Sequence, residues 1–117
     1  MKYLCLIYNQ EKNLAGLSKA EWDSLKEEYF AFTDGIRASG HHLGGHSLQG
    51  TPTAKTVRVR DGKVSATDGP FAETTEQLGG YYLIEARDLN DAIHVASRIP
   101  SARMGSIEVR PIMEFSP

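Results

Sequence analysis

Apolar residues recur along this chain with changing periods, and each period predicts an element. Residues 2–8 carry aromatic and aliphatic side chains on both faces and read as a strand. From Trp22 the spacing becomes helical: Trp22, Leu25, Tyr29, Phe32 and Ile36 recur at three- and four-residue steps, which predicts one apolar stripe on a helix near 19–39. Ser18-Lys19-Ala20-Glu21 ahead of it fits a capping box, and Gly40 is a suitable terminator. Leu43 to Leu48 is expected to hold a short strand. Thr56-Val57-Arg58-Val59-Arg60 and Lys63-Val64-Ser65-Ala66-Thr67 then alternate with period two around Asp61-Gly62, a hairpin signal.

The second half repeats the strand-then-helix logic. Gly80 to Ala86 reads as a central strand. Asp88-Leu89-Asn90-Asp91 looks like a capped start, and Leu89, Ala92, Ile93, Ala96 and Ile99 predict the buried stripe of a helix near 89–98, which Pro100 stops. Ser106 to Phe115 is the last strand, with Ile107, Val109, Met113 and Phe115 on one face. Pro111 inside it points to an edge or a bulge.

This order predicts an α+β sandwich, two helices on one face of an antiparallel sheet. Two helices cover only one face. Yet Tyr82, Ile84 and Ala86 point one way while Tyr81 and Leu83 point the other, and Leu4, Leu6 and Tyr8 oppose Tyr3, Cys5 and Ile7. A bare apolar face of several hundred Å2 usually marks an interface. At ~25 cal/mol per Å2 its burial favours association by several kcal/mol before entropic costs. A sheet-to-sheet homodimer is expected.

Composition narrows the classes. With 117 residues the chain is expected to form one domain spanning 1–117, and 40% hydrophobic against 24% charged residues is ordinary for a globular protein. A net charge of −2, with the basic residues scattered, gives no reason to expect nucleic acid or a membrane surface as partner. Cys5 is the only cysteine, so no internal disulfide forms, and its place in the first strand reads as a buried thiol. The opening apolar run is too short for a signal peptide, and no run approaches a membrane span; a cytoplasmic protein is expected.

Candidate chemistry concentrates at Asp68-Gly69-Pro70-Phe71, which leads through Glu73 and Glu76 to Gly79-Gly80. Gly69 tolerates unusual backbone angles, and Pro70 fixes a torsion and removes an amide donor. Asp68 beside Phe71 reads either as a general base in a partly dry pocket or as a carboxylate capping its own turn. Phe71 either stacks on a planar ligand or plugs the core. Glu73 and Glu76 either face a cleft or are solvated, and Arg58 and Arg60 either hold an anion or line a solvated strand face. His41 and His42 are adjacent and point oppositely in extended chain, so with His46 they make a poor metal site; no metal is expected. His94 is expected at the surface. Gly45-His46-Ser47-Leu48-Gln49 misses a nucleophile elbow, which needs glycine where Gln49 stands. No phosphate-binding or dinucleotide fingerprint occurs, and no cofactor is expected.

The run Asp68-Gly69-Pro70-Phe71-Ala72-Glu73-Thr74, followed by Glu76-Gln77-Leu78-Gly79-Gly80-Tyr81-Tyr82, resembles the YCII-related family and its DGPF subgroup. The similarity takes in Met1-Lys2-Tyr3, Ala92 to Pro100 and Glu108 to Phe115. The resemblance implies a ferredoxin-like domain that dimerises through its sheet as a dimeric α/β barrel. The DGPF subgroup is largely of unknown function. YCII-like proteins resemble small lyases and isomerases, some thought to use a His–Asp pair. Here the matching aspartate is Asp68, with His46 as the candidate for its partner.

Two functions are therefore carried forward, and whether the chain is an enzyme is left open. In the first, Asp68 and Phe71, with Gly69, Pro70 and Glu73, sit at the mouth of a pocket between sheet and helices and bind a small molecule, with cofactor-independent proton transfer or elimination as the chemistry. In the second, the loop orders a non-catalytic accessory or regulatory homodimer, linked by the resemblance to sigma-factor-dependent transcription.

Overall fold

The computed structural model describes residues 1–115; positions 116 and 117 of the expected domain lie outside the described residues. In chain order the elements are β1 (Lys2–Asn9), α1 (Glu11–Ala15), α2 (Lys19–Ala38), β2 (His42–Ser47), β3 (Lys55–Arg60), β4 (Lys63–Asp68), β5 (Gln77–Glu85), α3 (Leu89–Ser97) and β6 (Ser106–Pro111). Four strands form one antiparallel sheet in the order β2-β5-β1-β6, while β3 and β4 pair only with each other. This mixed α+β arrangement is compatible with a ferredoxin-like fold.

Local signals set the boundaries of α2. Ser18 Oγ accepts the Glu21 amide at 3.1 Å and Glu21 Oε1 accepts the Ser18 amide at 3.0 Å, the reciprocal box that the sequence predicts. The bonds to Ser18 hold the Glu21 carboxyl below the usual carboxylate range. Leu25, Phe32 and Ile36 are buried, and Tyr29 packs against the core from the same face. Trp22 departs from the expected stripe: it lies in the first turn of α2 and is 43% exposed.

The second stripe is rotated from the expected one. In α3 Asp91, Ala92, Val95 and Ala96 are buried, whereas Leu89 and Ile93 are exposed. A nine-residue helix needs only a narrow seam, and the small Ala92 and Ala96 allow it to lie close on the sheet. Asp88 caps it by accepting the Asp91 amide at 2.8 Å. The polar segment after β1 contains the one-turn α1, none of whose residues is buried.

Tyr3, Cys5 and Ile7 of β1, with Tyr82 and Ile84 of β5, face the helices and form the core with Phe32, Ile36, Val95 and Ile99. Burial pushes the Cys5 thiol up to about 11, consistent with a buried thiol. Leu4, Leu6 and Tyr8 of β1 and Tyr81 and Leu83 of β5 alternate onto the opposite face and are only half-buried. The strand β6 stops at Pro111 rather than reaching Phe115. It is an edge strand, the position a proline tolerates, and Met113 and Phe115 beyond it are exposed.

The hairpin turns at Asp61 (φ 51) and Gly62 (φ 73), two left-handed residues in succession as a two-residue turn requires. It stands away from the sheet as an arm. Every residue of β3 and β4 except Thr56 is exposed. The radius of gyration is 16.3 Å, against about 13 Å for a compact domain of this length.

Candidate functional site

The Asp68–Phe71 turn sits at the base of the arm. Asp68 closes β4 opposite Lys55 and forms an ion pair with it, with the carboxylate 85% exposed. The site is not dry, and the turn is held by other groups: the Gly69 amide donates to Ala54 O at 2.8 Å, and Thr56 Oγ1 donates to Gly69 O at 3.0 Å. Gly69 adopts φ 98, which makes the bend possible. Phe71 does not plug the core; it is 77% exposed, with the Arg58 guanidinium 5.5 Å from its ring centre. Pro70 and Phe71 line an open cleft of about 540 Å3 along Ala54–Arg60. That cleft belongs to the arm and not to a pocket between sheet and helices. Glu73 is exposed and has no hydrogen-bond or ion-pair partner among the described residues.

His46 is elsewhere. It pairs with Tyr81 across β2 and β5, and its Nδ1 lies 2.8 Å from the Tyr81 hydroxyl on the uncovered face of the sheet. Two glycines allow the strands this approach. A Cβ on Gly45 would meet Tyr81 O at 2.8 Å, and one on Gly80 would meet His46 O at 2.8 Å. The pair therefore depends on glycine both before His46 and before Tyr81. Among the described residues no hydrogen bond or ion pair joins His46 to Asp68.

A different His–Asp contact lies at the helical side. His41 Nε2 donates to Asp91 Oδ2 at 3.1 Å, and the Arg87 amide donates to the same oxygen at 3.0 Å. The Arg87 amide first, and then the His41 ring and the Arg87 guanidinium, hold the Asp91 carboxyl down at about 2 against the opposing effect of its burial. The other ring nitrogen, Nδ1, is 2.7 Å from Ser39 Oγ, so Ser39, His41 and Asp91 form a chain of hydrogen bonds. The neighbouring Gly40 and His41 amides are committed to Arg37 O and Ile36 O. The arrangement ties the end of α2 and the start of β2 to α3. His42 instead packs its ring edge-on to Tyr82, so the adjacent histidines have separate partners. No three His, Cys, Asp or Glu side chains gather among the described residues in a way that could hold a metal.

A YCII-related domain matches residues 1–116, which decides the family. The chain belongs to the YCII-related family. A protein of Rhizobium meliloti (strain 1021), described as uncharacterized, is 35% identical over 119 residues, covering 100% of this chain and 96% of its own length. The YCII relationship thus spans the arm as well as the sheet, and this relative brings no activity with it.

In the sequence Tyr81 reads as an apolar strand residue, although its register with His46 makes it a hydrogen-bond partner. Asp91 reads only as part of a helix start, and its spacing to Val95, one turn on, is the signal that places it on the buried face. No helix among the described residues is long and apolar enough to cross a membrane.

Proposed function

We propose that this YCII-family protein is a homodimer that encloses a small-molecule site over the bare face of its sheet. The observation that carries the reading is the His46–Tyr81 pair, one imidazole and one phenol hydrogen-bonded at 2.8 Å beside the apolar floor of Leu4, Leu6 and Leu83. An apolar surface with a few convergent polar groups is the general composition of ligand sites, and facing two such sheets would exclude water from it. The chemistry suited to the pair is proton transfer on a small carbonyl or aromatic compound, since the imidazole nitrogen not bonded to Tyr81 is available to a ligand.

The test is a metabolite screen by melting shift on wild type, Tyr81→Phe and His46→Ala. A compound that raises the wild-type Tm is expected to lose most of its shift in both variants. Equal shifts in all three proteins would place binding elsewhere and end this reading.

A further inference from the structure

The arm has two unlike faces. Register puts Val57, Val59, Val64 and Ala66 together on one side, above the Lys55–Asp68 pair. Thr56, Arg58, Arg60, Lys63, Ser65 and Thr67 occupy the other, where Phe71 meets Arg58. The alternation that predicts a half-buried ribbon is therefore real, but its apolar half has nothing over it. Val57 is 61% exposed, Val59 57% and Val64 73%. An isolated two-stranded ribbon is marginally stable in water, so a long one with a bare valine face is waiting for a surface.

We infer that this valine face seats on a second copy of the chain, each arm clasping its partner beside the bare sheet face. The inference rests on the dimer proposed above and adds the element that makes it large enough. Strands lie about 4.8 Å apart and rise about 3.4 Å per residue, so two four-stranded faces with strands of 8, 9, 6 and 6 residues have a flat footprint of roughly 900 Å2 in all. Stable interfaces remove about 1,200–2,000 Å2 of accessible surface. Each arm has six residue pairs. Two such arms, counted on both of the surfaces they cover, add roughly 800 Å2 of the same footprint and nearly double the contact. Two-fold symmetry satisfies both arms and both faces at once, which a single unrelated partner does not.

Val59→Lys and Val64→Lys, separately and together, test the arm. Leu83→Lys tests the sheet face, and sedimentation equilibrium of all of them across a micromolar dilution series reads the dimer constant. The arm substitutions lie on exposed strands, so the core should fold unchanged, which far-ultraviolet dichroism verifies. Each is expected to weaken dimerisation on the order of ten-fold or more, since each removes a buried valine per arm. In wild type, hydrogen exchange of amides in 55–68 should slow as concentration rises through the dimer constant. A wild-type dimer that is lost in Leu83→Lys but untouched in the arm variants, with 55–68 exchanging at the same rate throughout, would overturn the clasp and leave the sheet dimer standing. A wild-type monomer at all concentrations would overturn both.

Discussion

His41 Nε2 donates to the buried carboxylate of Asp91 at 3.1 Å, so the link between α2 and β2 is fastened to the first turn of α3 by a charge. The sign of the resulting pH dependence follows from the Asp91 carboxyl being held down at about 2. A carboxyl depressed in the folded state lends stability above its unfolded value of about 3.9 and loses it as pH falls toward 2. Asp91→Asn should lower Tm at pH 7 and flatten the fall in Tm between about pH 4 and pH 2. A variant whose acid melting profile tracks wild type would show that the carboxylate carries no such load.

The capping box gives a smaller and cleaner effect. Ser18→Ala removes the acceptor for the Glu21 amide and should destabilise the protein by about 1 kcal/mol in urea titration. Ser18→Asp, which keeps an acceptor, should recover most of the loss.

Glycine at position 80 is a steric requirement. In Gly80→Ala the new methyl would press on His46 O, so β2 must shift outward and the His46–Tyr81 bond must lengthen. A loss of about 1–3 kcal/mol is expected, as for other overpacked sites. The imidazole resonances of His46 should move in the same variant; unchanged resonances with lost stability would separate the glycine from the pair.

Asp68→Asn should be nearly silent in stability, within about 0.5 kcal/mol, because its ion pair with Lys55 is exposed and a solvated pair contributes little. A loss of about 1 kcal/mol or more would instead mean that the carboxylate does hold its turn.

The elements were legible where the pattern was long or the punctuation strong. Ser18 and Glu21 located the start of α2, and Asp61-Gly62 located the turn between β3 and β4. The failures share one cause: periodicity assigns a side chain to a face but does not say whether anything covers that face. Trp22, Leu89 and Ile93 are apolar and exposed for that reason, and so are the valines of β3 and β4. The site was harder still. Asp68-Gly69-Pro70-Phe71 is prominent in sequence because its backbone must bend, whereas Tyr81 gains its role from cross-strand register, which only pairing in three dimensions reveals, and Asp91 from a helix phase marked by nothing more than its spacing to Val95.

The lone sulfhydryl at Cys5 is sealed beneath α2 and α3 and is held almost wholly in its unreactive form at neutral pH. A maleimide dye or nitroxide directed to a cysteine introduced at the arm's tip would therefore attach there alone, without first removing the natural one. Distances between two such probes could then be measured on an otherwise native molecule.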